Sequence, residues 1–149
     1  MINYIIHYLK SNKNKIIKFL LVGTSAAAIN LLLMFILVHY LGFNTRLKEN
    51  IANLISMEIS IIYNFIFSRN FTWNNVQKEK GMKLIAQIVA FHATVGISVL
   101  IRALLFPFLQ MLGIFYLYNV IIGIGVGSVF NFFMYDNLIF KERGKAEHV

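Results

Sequence analysis

The chain has 149 residues, of which 58% are hydrophobic and only 13% charged, and its formal net charge is +8. A water-soluble domain of this length needs far more polar surface to cover its core, so that class is excluded first. With no cysteine and four scattered histidines, His7, His39, His92 and His148, no disulfide framework and no metal site is expected, and no cofactor is implied.

In chain order, Ile2, Ile5, Ile6 and Leu9 fall at helical spacing and are followed by Lys10, Lys13, Lys15 and Lys18. This predicts a short amphipathic helix at the inner interface, or alternatively a frayed basic leader, and not a cleavable signal peptide. Four apolar runs follow, at about 16–41, 47–68, 82–108 and 114–135. Each is near the ~20 residues that a bilayer core requires. The runs are apolar all round and lack the alternation of membrane strands. Short links join the first run to the second and the third to the fourth, so each pair is predicted to be an antiparallel hairpin. The expected fold is an all-α membrane protein, one domain over 1–149, with four transmembrane helices.

Lysine and arginine counts set the expected direction. Lys10, Lys13, Lys15, Lys18, Arg69, Lys78, Lys80, Lys83, Lys141, Arg143 and Lys145 fall on one side, against Arg46 and Lys48 on the other. The bias places both termini in the cytoplasm, in a multi-pass protein of the cell membrane. Basic residues at span ends also point to anionic membrane lipids as partners, not to nucleic acid.

The second run ends in NFIFSRNFTW (64–73) and the fourth in NFFMYDNLIF (131–140). Asn64 aligns with Asn131, Phe65 with Phe132, Asn70 with Asn137 and Trp73 with Phe140. The chain therefore reads as two copies of a two-helix unit. Two spans per unit give both copies one orientation, a parallel repeat about an axis along the membrane normal.

At these residues the sequence resembles the GtrA-like family of small four-helix membrane proteins. FLLVGTSAAAIN (19–30) is similar to the family's first-span opening, with Phe19, Gly23 and Asn30 in place. NFIFSRNFTW is similar to its second-span ending, through Asn64, Phe65, Arg69 and Phe71. The resemblance covers nearly the whole chain in span number, loop layout and charge. It implies the binding and outward movement of a polyprenyl-phosphate-linked sugar for cell-surface polysaccharide or teichoic acid glycosylation. It equally implies work beside a glycosyltransferase, and a membrane anchor for that enzyme is the rival role. The fourth-span copy departs from the pattern, with Asp136 where the second has Arg69.

Arg69 and Asn64, joined by Lys83, are the candidate phosphate-binding residues. A guanidinium offers paired donors to a phosphodiester and keeps its charge at any depth. The bland reading of Arg69 is a snorkelling side chain that obeys the positive-inside bias. Glu58 and Arg102 lie within apolar runs. Burying either charge alone costs at least about 2.5–3.5 kcal/mol at a helix centre. Pairing between the second and third spans would relieve that cost, as a gate or as a static bridge. Asn30, Asn131 and His92 add polar groups inside the spans, for interhelical hydrogen bonds or a sugar path. Gly123 and Gly127 form a GxxxG that predicts close helix packing, within the bundle or in a homo-oligomer. Trp73, Tyr40, Phe115, Tyr116 and Phe140 mark an interfacial belt at the span ends. No pair of carboxylates and no nucleophile beside a base is present, so no enzyme activity is expected. A third role, a small proton-coupled exporter of cations, would use Glu58, but Arg102 disfavours a cationic substrate.

Overall fold

The structure, a computed structural model, describes residues 8, 10–114 and 116–141. The amphipathic segment read from Ile2, Ile5, Ile6 and Leu9 lies outside the described residues, as do Phe115, Arg143 and Lys145. Four long helices account for the apolar runs. They are α1 (Lys13–His39), α2 (Arg46–Phe67), α3 (Met82–Met111) and α4 (Tyr116–Met134). Among the described residues there is no strand. In hydrocarbon every backbone N–H and C=O must find its partner within the segment, and a helix achieves that locally. All four spans are long and apolar enough to cross a membrane. Many large apolar side chains point outward, Leu31 and Leu104 among them. That pattern suits lipid as the solvent.

The helices form two compact units, Met1–Asn74 and Asn75–Val149. In the first, α1 packs against α2; in the second, α3 packs against α4. Each tight turn follows a glycine in the left-handed region, Gly42 (φ 71°) and Gly113 (φ 76°). A side chain at such a φ would be strained, so glycine is the residue that lets the chain reverse there.

Both returning helices end in a π-helical turn, Ser68–Thr72 after α2 and Tyr135–Ile139 after α4. The extra residue in each turn shifts the last hydrogen bond. Trp73 donates its N–H to the Ser68 carbonyl at 2.9 Å, and Phe140 to that of Tyr135 at 2.8 Å. Both aromatics thereby turn inward and are buried. Trp73 meets Phe19 of α1 edge-on, with ring centroids 6.2 Å apart; Phe140 meets Phe91 of α3 at 6.3 Å. In the second unit Tyr135 also stacks on Phe91 at 4.4 Å. Two of the aromatics read as an interfacial belt are thus closures of the hairpins.

The seams are built from small residues. Ala52, Ser56 and Ser60 recur every fourth position on the buried face of α2. Lipid tails are as apolar as leucine, so helices associate where their backbones approach closely, and small side chains permit that. Ser56 and Ser60 return their hydroxyls to the Asn53 and Met57 carbonyls of the same helix. The seam thus stays polar in composition and satisfied in hydrogen bonding. On α4 the corresponding seam is Asn119, Gly123 and Gly127.

The aromatic closure makes a sharp expectation. Trp73→Phe, which copies the second hairpin, should leave thermal unfolding in detergent nearly unchanged. Trp73→Ala should destabilise by roughly 1–2 kcal/mol, an aromatic pair plus lost packing. Equal melting of the two variants would show that the closure does not hold the first hairpin.

Candidate functional site

At the π-turn end of the first hairpin, Arg69 is half-buried within the turn itself. The turn packs against the start of α1, which brings Lys18 in: its Nζ lies 5.1 Å from the centre of the Phe71 ring. Two cations therefore share one end of one hairpin, and Lys18 is held there over an apolar ring. Arg69 also follows the last turn of α2, where the outgoing carbonyls favour positive charge. Asn64 sits just over one turn deeper. Its Oδ1 accepts a hydrogen bond from Ser68 Oγ at 3.0 Å. What remains to Asn64 is mainly its amide N–H2. The cluster as a whole is thus built of donors and cations, a set suited to an anion.

The same end of the second hairpin has different chemistry. Asp136 holds the place of Arg69 and is half-buried in its own π-turn. Its carboxylate stands at a helix C-terminus, the unfavourable end for a negative charge. Asn131 is half-buried, and its Oδ1 receives no hydrogen bond. Gln87 of α3 donates Nε2–H to the Ile139 carbonyl at 2.7 Å and ties the turn to its neighbour. Lys83 belongs to this unit. It is exposed at the start of α3 and shares a surface hollow with Lys78 and Lys80.

Within the spans, Glu58 is exposed on α2 among Leu54, Ile55, Met57 and Ile59. It lies two residues from Ser56, about 200° round the helix, and so faces away from the seam with α1. Asn30 of α1 is half-buried, with an Oδ1 that receives no hydrogen bond. His92 bonds through Nδ1 to the Ile88 carbonyl at 2.9 Å, within its own helix. A carbonyl only accepts, so Nδ1 carries the proton.

Arg102 is exposed on α3, and its stem crosses the glycine face of α4. A Cβ on Gly127 would lie 3.2 Å from Arg102 Cδ, and one on Gly123 would lie 3.8 Å from its Cγ. The GxxxG therefore seats a side chain as well as a helix. Asn119, one turn before Gly123, is 1% exposed and donates to the Phe106 carbonyl at 2.7 Å.

Sequence reasoning named Arg69, Asn64, Arg102 and the glycines, but not Lys18 or Ser68 as site members, and not the groove at Asn119. Lys18 was legible in principle. Phe19, its neighbour, opens the first-span motif, and a hairpin brings that opening beside the second-span ending. The partner of Asn119 gave no sequence signal, because it is a backbone carbonyl. Among the described residues no cluster of His, Cys, Asp or Glu could hold a metal ion.

Residues 18–140 match the family model described as GtrA/DPMS, transmembrane domain. No curated protein matches the chain.

The Ser68–Asn64 bond ties the donor set to the π-turn, and a double-mutant cycle should reveal it. Ser68→Ala and Asn64→Ala should couple by roughly 0.6–1.7 kcal/mol in thermal unfolding, the range for hydrogen bonds between side chains in membranes. Strictly additive effects would remove the tie.

Proposed function

Because the chain belongs to the GtrA/DPMS transmembrane-domain family, we propose that it binds a polyprenyl-phosphate-linked monosaccharide and carries it across the membrane. The product serves cell-surface polysaccharide or teichoic acid glycosylation. Family membership supports the coarser statement, the handling of polyprenyl-phosphate sugars by a multi-pass membrane protein. The finer one rests on Arg69, half-buried in the π-turn, at the same end of the hairpin as Lys18 and Asn64. A phosphodiester at head-group depth needs this combination of fixed charge and hydrogen-bond donors.

In this reading both termini and both π-turns face the cytoplasm, as the lysine and arginine bias requires. The lipid-linked sugar is loaded at the Arg69 end. Lys83, with Lys78 and Lys80, supplies further positive charge on that side. The aligned endings, the shared π-turn and the inward aromatic support two hairpins repeated in parallel. Asp136 in place of Arg69 confines phosphate loading to one of them. Sugar transfer itself belongs to a glycosyltransferase partner.

Reconstitution tests this directly. Liposomes containing the protein should exchange a labelled polyprenyl-phosphate sugar between leaflets faster than empty liposomes. Arg69→Gln should slow exchange roughly tenfold or more, the loss of one charge-assisted contact. Exchange no faster than in empty liposomes would remove transport by this chain. Loss of the synthase from membranes lacking the protein would then identify it as an anchor. The orientation has its own check, since the chain contains no cysteine. Single cysteines at Asn74 and Asn44, both exposed, should label from opposite sides, with Asn74 reached from the cytoplasm.

A further inference from the structure

Arg102 makes no hydrogen bond or ion pair within its own unit among the described residues. Its place is nonetheless built. The stem lies over Gly127 and Gly123, and the side chain lines a groove of about 350 Å³ with Val99, Ala103, Phe106, Asn119 and Gly123. Two acceptors belong to the same groove. Asn119 is buried, its N–H2 is used by the Phe106 carbonyl, and its Oδ1 receives nothing. Pro107, inside α3, has no N–H to give to the carbonyl four residues back, which is that of Ala103. Ala103 is exposed, so the costly acceptor is the buried Asn119 Oδ1, costlier in a membrane than in water.

The groove therefore presents one cation with a fork of donors, beside a buried amide oxygen that receives no donor and a carbonyl that lacks its α-helical one. A bare anion answers only the first. A cation answers only the second and is repelled by Arg102. A phosphodiester whose headgroup also carries hydroxyls answers both: phosphate oxygens accept from the guanidinium, and hydroxyls donate to Asn119 and Ala103. The depth suits a lipid. Arg102 lies nine residues before the end of α3, ~13 Å along the axis, within reach of the interface for an arginine stem.

We propose that the groove of Arg102, Asn119 and Ala103 is a binding site for the phosphodiester of a hydroxyl-bearing lipid. It lies at the tight-turn end of the second hairpin, whereas Arg69 lies at the π-turn end of the first. Two sources share this chemistry, phosphatidylglycerol and a polyprenyl-phosphate sugar. The second source rests on the function proposed above and would make the groove the receiving site of transport.

Native mass spectrometry of the full chain from mixed micelles separates these cases. The micelles contain phosphatidylcholine with either phosphatidylglycerol or a polyprenyl-phosphate hexose. The wild type should retain one hydroxyl-bearing lipid in preference to phosphatidylcholine. Arg102→Gln should lower that retention roughly tenfold or more, and Arg102→Lys should restore part of it. Gly127→Ala sets a methyl 2.8 Å from Ser98 Oγ and 3.2 Å from Arg102 Cδ, so the stem must give way together with Ser98 and retention should fall, whereas Gly123→Ala, 3.8 Å from Arg102 Cγ, should bind as the wild type does. The phosphatidylglycerol arm makes no use of transport, so failure of the transport reading and failure of this one remain separate. Retention confined to phosphatidylglycerol assigns a phospholipid site; retention of the hexose lipid assigns a substrate site. Equal retention of phosphatidylcholine, or Arg102→Gln binding as well as the wild type, overturns the proposal.

Discussion

Hydrocarbon supplies no hydrogen bonds, and the backbone, the serine seam and the helix ends of this molecule all answer that constraint. The backbone meets it by running as helices. The hydroxyls of Ser56 and Ser60 meet it by bonding to carbonyls of their own helix. The helix ends meet it with π-turns, in which Trp73 and Phe140 pass their N–H groups to carbonyls five residues back. Those bonds also rotate a large aromatic ring into each hairpin. Satisfying the backbone and closing the hairpin are thus one event.

The two hairpins correspond residue by residue, beyond the aligned endings. On the returning helices Ala52, Ser56 and Ser60 stand 67 positions before Asn119, Gly123 and Gly127, the same interval that separates Trp73 from Phe140. On the outgoing helices the buried Phe19, Val22 and Ala26 stand 72 positions before the buried Phe91, Thr94 and Ser98. Against that shared frame the charges are exchanged. Arg69 faces Asp136 in the correspondence, while Asn30 faces Arg102. In these two pairs the arginine of the first hairpin lies at its π-turn end and that of the second toward its tight turn. Gly127 explains how the second hairpin accommodates its own: the smaller residue in place of Ser60 opens the face on which the Arg102 stem lies.

Much of the fold was legible because its cause is compositional. Apolar runs of span length must be helices in lipid, and the glycines at the tight turns lie in short links between runs. The π-turns were not legible. Nothing in SRNFT or YDNLI distinguishes five-residue bonding from four; the inward pull of Trp73 and Phe140 decides it, and that depends on Phe19 and Phe91 far away in the chain. The same distance hid the site members. Arg69 was visible as a charge at a span end, but Lys18 joins it only through hairpin packing. Gly123 and Gly127 were visible as a packing motif, but the side chain that occupies their face comes from another helix.

The exchanged charges bear on direction. An anion moving through the bilayer loses hydration at one face and must recover equivalent contacts at the other. A single central arginine would hold it too well, since in low dielectric a charge pair is far stronger than in water. Separating the cations avoids that trap. In the proposed orientation Arg69 meets the phosphate at the cytoplasmic interface and Arg102 near the opposite one. Each hairpin also offers a neutral amide at the level where the other has its arginine site, Asn30 matching Arg102 and Asn131 matching Asn64, each with a buried oxygen that receives no hydrogen bond. Such oxygens suit sugar hydroxyls and give nothing to phosphate. Each hairpin by itself thus sets an arginine toward one end and a neutral acceptor toward the other, so that a phosphate suits the first and a sugar hydroxyl the second.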